Sequence, residues 1–179
     1  MGATLTIKRS ESSAPVTADE MCRMYAAPVA RFAAMICRTT GEAEDLAQEA
    51  LLRSVRSLHS YNPSRGSMEA WLWRIVANTA KDLAGRRQRM RDLVLVLGRQ
   101  PRESVSVEDV VLKRVRDAEL HVELRKLPWR DQTLLALRFG ADLDMHRVGS
   151  AVGLSSDSAS RAVRRALNRL RARLEDSHQ

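Results

Sequence analysis

At 179 residues the chain has room for one ordinary domain or two small ones, and 44% hydrophobic residues support packed cores although aromatics reach only 4%. Two small domains would be marginal alone and helped by a partner. The formal charge of +8, carried overwhelmingly by arginine, with a pI near 10.4, points to a polyanion, most often nucleic acid. Cys22 and Cys37 lie near no histidine cluster, and His59, His121, His146 and His178 are scattered. That pattern fits neither a zinc site nor a disulfide framework, so no metal and no cofactor are expected. No apolar run approaches about 18 residues, and no secretion leader is read, so the expected compartment is the reducing cytoplasm.

Residues 1–17 lack periodicity and predict a disordered lead. From Asp19 to Arg38, the residues Met21, Met24, Tyr25, Phe32, Met35 and Ile36 share a helical face. Pro28 lies inside that run and predicts a kink, or two helices with Pro28 in the first turn of the second. Thr40-Gly41 ends the segment, and the next predicted helix buries Ala43, Leu46, Ala47, Ala50, Leu51, Val55 and Leu58. The Asn-Pro and Gly of His59–Ser67 predict a loop. Ser67 is placed to cap a helix whose core stripe is Met68, Trp71, Leu72, Ile75, Val76, Thr79 and Leu83. That helix ends in the basic stretch Gly85–Arg91.

Residues 91–109 begin with the apolar run LVLVLG, read either as a last helical turn or as a strand-like patch, and continue as a Ser/Glu-rich interdomain linker. A second helical set is predicted at Asp109–Leu127, Pro128–Phe139, Asp144–Val152 and Ser155–Glu175. No strand pattern appears. The predicted fold class is all-α, two small helical domains joined by a flexible linker, the C-terminal one holding a helix-turn-helix.

The last helix has an apolar stripe of Ala159, Val163, Ala166, Leu167, Leu170 and Leu174. Its other side carries Ser156, Asp157, Ser158, Ser160, Arg161, Arg164, Arg165 and Asn168, with no acidic residue between Ser158 and Leu174. A short helix and a Gly turn precede it, so it reads as a recognition helix, against the plainer reading of a solvated Arg-rich helix. The helix around AEDLAQEALL presents Asp45, Gln48, Glu49, Leu52 and Arg56 outward. DNA would repel that acidic strip with its exposed leucine, so it suggests a protein partner. Tyr61, Trp71 and Trp73 cluster around the loop, and Trp73 falls off the core stripe, near Asn78, Lys81 and Arg86 to Arg91. Aromatic, amide and basic groups together hold unstacked bases and track a strand's phosphates, although Trp73 could equally cover a domain edge.

In this order the strings AEDLAQEALL, MEAWLWRIVANTAKDLAGRRQR, LRKLPWRDQTLLALRFG and VGSAVGLSSDSASRAVRRALNRLRARL resemble an extracytoplasmic-function sigma factor of the sigma-70 family. The resemblance implies a non-enzymatic initiation factor whose partners are core RNA polymerase, promoter DNA and an anti-sigma factor. It implies a region 2 domain at 18–91, a linker at 92–109 and a region 4 domain at 110–179. Asp45, Gln48, Glu49 and Leu52 would dock on the polymerase clamp. Tyr61, Arg65, Trp73, Asn78, Lys81, Arg86 and Arg87 would take the minus-ten element. Ser156, Asp157, Ser158, Ser160, Arg161, Arg164, Arg165 and Asn168 would read the minus-thirty-five element. The chain departs from the family pattern at Arg147, Val148 and Gly149, and at Asp157, Ser158 and Ala159. Gly149 weakens a helix interior, so a looser upstream domain or an unusual promoter sequence is expected. The rival readings are a stand-alone helix-turn-helix regulator, which needs neither the acidic face nor the Trp/Asn segment, and a nucleic-acid-processing enzyme, for which no paired carboxylates or metal ligands are found.

Overall fold

The computed structural model describes residues 17–96 and 113–177, and among them every regular element is helical. Helix α1 (Ala18–Ile36) opens on a capping box: the Glu20 N–H donates to Thr17 Oγ1 at 3.2 Å, and the Thr17 N–H donates back to the Glu20 carboxylate at 3.0 Å. Pro28 lies within this helix and does not divide it. A proline inside a helix costs about 3 kcal/mol through its missing donor and ring clash. Burial of Met21 before it and of Val29, Phe32 and Ala33 after it binds both halves to one core and outweighs that cost. The expected break is therefore corrected to one continuous helix.

Helix α2 (Thr40–Ser57) starts earlier than the Thr-Gly pair suggested, because Thr39 caps it by accepting from the Glu42 N–H. Two 3-10 turns follow, Leu58–Ser60 and Pro63–Arg65. Gly66, at φ +139°, closes the second turn in a region that side chains avoid. Ser67 then accepts from the Ala70 N–H at 3.2 Å and starts α3 (Met68–Val96), as expected. The apolar run after Asp92 is helical as far as Val96. The lead as far as residue 16 and the linker from 97 onward lie outside the described residues.

The second set comprises α4 (Lys113–Lys126), α5 (Trp129–Leu135), α6 (Met145–Val152) and α7 (Ser156–Asp176), with a π-helical turn at Ala136–Gly140 running on from α5. Its helices do not stand apart from the first three. The π turn packs on α1, α6 packs on α3, and the buried apolar residues of both sets form one continuous cluster. Gly140 marks the closest approach: a Cβ there would stand 2.8 Å from Met35 Sδ and 3.1 Å from both the Arg31 carbonyl oxygen and Phe32 Cα. Arg31 Nε donates to the Gly140 carbonyl at 3.0 Å, and Arg125 Nη1 donates to the Cys37 carbonyl at 3.3 Å. Each small half thus adds to the buried surface of the other.

Candidate nucleic-acid and protein interfaces

The helix-turn-helix is built by short-range devices. Asp144 caps α6 by accepting from the Arg147 N–H at 2.9 Å, and Gly153 ends it in the left-handed region at φ +74°. Ser155 then caps α7 by accepting from the Ser158 N–H at 3.2 Å. Gly149 has a packing role that its helix propensity conceals. A Cβ on it would lie 2.5 Å from the Leu154 carbonyl oxygen and 3.2 Å from the Ser155 carbonyl, so the turn runs hard against the α6 backbone. The departure noted in the sequence is what lets this turn close.

Helix α7 buries Ala159, Ala162, Val163, Ala166 and Leu170. Leu167, expected in that stripe, is 38% exposed, and Ala162 takes its place. Ser156, Asp157, Ser160, Arg161, Arg164, Arg165 and Asn168 are all exposed, and Ser158 is half-buried with its hydroxyl accepting from Arg161 Nη2 at 3.3 Å. The remaining arginines divide. Arg169 pairs with the buried Asp131 carboxylate, and Arg173 donates to the buried Glu123 at 3.1 Å, so these two anchor α7 to α5 and α4. Lys126, then Arg173, hold the Glu123 carboxyl below the usual carboxylate range.

On α2, Asp45, Gln48 and Leu52 are exposed, Leu52 by 48%. Glu49 is half-buried and accepts from Arg53 Nε at 2.7 Å, while Arg53 Nη1 donates to Asp82 of α3 at 2.8 Å. Asp82 and Glu49 both stabilise the guanidinium and push its pKa up further. A shallow groove between α2 and α3 is lined by Asp45, Gln48, Glu49, Leu52, Asp82 and Arg86. Asp82 was not foreseen, because nothing in a linear sequence signals an acidic partner that α3 brings alongside Arg53.

Along the loop and α3 the expected residues separate. Tyr61 packs at a tilt against Trp71, with ring centroids 5.7 Å apart, and donates its hydroxyl to the Gly66 carbonyl at 3.2 Å. Arg65, Asn78 and Arg86 are exposed. Trp73 is not: it is 1% exposed, with its ring 6.0 Å from that of Phe32, and its indole N–H is buried without an acceptor. The expected order of the two tryptophans is reversed, with Trp71 half-exposed and Trp73 in the interior. The cause is that α3 is flanked by α2 and by α6 and its Trp73 ring also meets Phe32 of α1, so a single 3.6-residue stripe under-counts its buried face. Lys81 is exposed but stands over the Trp129 ring, 5.7 Å from its centroid. Arg87, read as a phosphate contact, pairs with Glu42 and is only 22% exposed, a strut from α3 to the start of α2. Beside it the Cys37 thiol is pushed up by burial, with Arg87 partly offsetting that shift.

Among the described residues no group of three or more His, Cys, Asp or Glu is placed to hold a metal ion, and no helix is long and apolar enough to cross a membrane. The chain matches the family model for Sigma-70 region 2 over residues 21–90 and that for Sigma-70, region 4 over residues 124–172. It is 30% identical over 155 residues to the ECF RNA polymerase sigma factor SigE of Mycolicibacterium smegmatis, covering 86% of this chain and 60% of that protein. It is 26% identical over 147 residues to the RNA polymerase sigma factor SigV of Bacillus subtilis, covering 80% and 82% respectively. Its fold is also that of solved structures. The sigma factor RpoE in complex with the anti-sigma factor NepR, from Bartonella quintana, has a TM-score of 0.66 at 20% identity, covering 88% of this chain and 96% of that one. CnrH in complex with the cytosolic domain of CnrY has a TM-score of 0.61 at 19% identity, covering 89% and 88%.

Proposed function

The chain belongs to the extracytoplasmic-function group of the sigma-70 family, and from that premise we propose that it binds core RNA polymerase and directs transcription from its own promoters, without catalysis of its own. The acidic groove of α2, with Leu52 exposed beside Asp45 and Gln48, is the docking face for a basic, partly apolar helical pair on the polymerase. The outward face of α7 reads upstream duplex DNA through Arg161 and Arg165, with Ser158 and Asn168 beside them. The α3 face around Asn78, with the loop from Tyr61 to Ser67, receives a base that leaves the stack when the promoter opens. Asn78 offers both a donor and an acceptor to a Watson–Crick edge. An anti-sigma factor is the proposed regulator, and the cytoplasm, where polymerase works, the proposed location.

One observation carries this reading. A single chain sets an acidic, leucine-bearing face on α2 and an arginine face on α7, in the family's order. A stand-alone repressor or activator has no use for the first. Run-off transcription with purified core polymerase on genomic fragments tests the proposal. Discrete start sites that require the added chain are expected. Their absence on every fragment would leave only a DNA-binding regulator.

A further inference from the structure

The face of α7 opposite its buried stripe is not uniformly basic. Asp157, Arg161, Arg164 and Asn168 follow one another at helical spacing, so they share the outward side of the helix, and all four are exposed. Asp157 lies in the first turn, the end of a recognition helix that reaches base edges. It is also one of the positions where the chain departs from the family pattern.

The helix dipole favours an acidic residue in a first turn. The cap itself, however, is already supplied by Ser155, which accepts from the Ser158 N–H at 3.2 Å, and Asp157 adds no bond to it. Arg161, one turn on, is the natural ion-pair partner, yet its guanidinium donates to Ser158 Oγ at 3.3 Å. The Ser155 hydroxyl donates to the same oxygen at 2.9 Å. Among the described residues no ion pair or side-chain hydrogen bond engages the Asp157 carboxylate. A bare carboxylate on a DNA-facing surface repels phosphates and lowers affinity for every sequence alike. A donor on a base edge is what can answer it, because an ionised carboxylate only accepts. In the major groove the donors are the amino groups of cytosine and adenine. Adenine sets its N7 lone pair beside that amino group, where it repels a carboxylate, whereas cytosine has no acceptor there.

We propose that Asp157 is a specificity-determining residue, selecting a cytosine in the upstream element by accepting from its N4 amino group, near the guanine taken by Arg161. Ser158, by holding the Arg161 guanidinium, keeps the two charges from neutralising each other. One turn of helix thereby presents an acceptor and a donor to neighbouring base pairs. The proposal rests on the reading of α7 as the element that reads upstream duplex.

The test uses the full chain bound to core polymerase, with duplexes captured from a pool randomised across the upstream element. The parent should select cytosine at one position near a guanine. Asp157→Ala should lower the cytosine preference by about fivefold or more and keep the guanine. It should also bind random duplex more tightly, because a charge that repels phosphates is gone. Asp157→Asn, which offers a donor and an acceptor together, should move the preference from cytosine to adenine. N4-methylcytosine at that position puts a methyl group where the carboxylate accepts, so it should weaken the parent and leave Asp157→Ala unaffected. An unchanged selected base in both variants overturns the proposal and leaves Asp157 a helix-end charge, whatever their thermal stability. An N4-methyl penalty equal in the parent and in Asp157→Ala overturns the direct contact. Arg161→Ala separates the underlying reading: if it relaxes the guanine while the Asp157 variants change nothing, α7 still reads duplex and only the cytosine assignment has failed. If the parent selects no upstream sequence, both fail together.

Discussion

At the scale of single residues, two positions carry more than their residue types suggest. Gly149 reads in the sequence as a weak point in a helix, yet its missing Cβ is what lets the Leu154 carbonyl oxygen approach. Gly149→Ala should destabilise the chain by about 1–3 kcal/mol through overpacking against backbone that cannot move aside. A lower urea midpoint at unchanged slope would show it, and an unchanged midpoint would mean the turn relaxes freely. Glu123 is the second. Lys126 and Arg173 hold its carboxyl below the ordinary value of 4.5, so the folded state favours the charged form. That contribution is present at neutral pH and is lost as pH falls from about 4.5 through the depressed folded value. Glu123→Gln should therefore be less stable at neutral pH, with the gap to the parent closing on acidification. A gap that persists below that range would assign the loss to packing.

At the scale of elements, the arginines of α7 divide by what they touch. Arg161 is exposed on the outward face, and a bidentate arginine–guanine contact discriminates by about 1–3 kcal/mol, so Arg161→Ala should relax base preference. Arg171→Ala should weaken all sequences alike and lower the salt dependence. Arg169→Ala should instead lower thermal stability, because it strands the buried Asp131 carboxylate. Equal losses on specific and random duplexes for Arg161→Ala would demote it to a phosphate contact. The anchoring of Arg169 and Arg173 was not legible in the sequence, where nothing signals that α5 and α4 bring the buried Asp131 and Glu123 alongside α7. The elements themselves were: caps at Ser67 and Ser155, the Gly153 turn and the α7 stripe all follow from local rules. What failed were places where a second surface intervenes. Pro28 does not break α1 because burial on both sides holds the helix, and Trp73 sits inside, against Phe32 of α1, because α3 has neighbours on more than one flank. Local pattern reports which face of a helix is apolar, and it is silent on how many neighbours that helix has.

At the scale of the whole molecule, the division of labour is spatial. The acidic α2 groove, the α3 face around Asn78 and the outward face of α7 are three distinct surfaces. The proposed function needs all three in sequence: docking, upstream anchoring and strand capture. Reversing Asp45 and Glu49 to lysine should abolish capture of core polymerase with helicity intact, and unchanged capture would remove α2 from the docking face. Asn78→Ala should keep core and upstream binding and lose opening of duplex promoter, while a template already melted across the minus-ten region restores transcription. The most direct test of the whole account is permanganate reactivity of thymines on promoter fragments incubated with core polymerase and this chain. A short stretch of thymines should become reactive only when both are present, and should stay unreactive with the Asn78→Ala chain. Reactivity that appears without the chain, or that never appears on any fragment, would contradict the assignment of promoter opening to it.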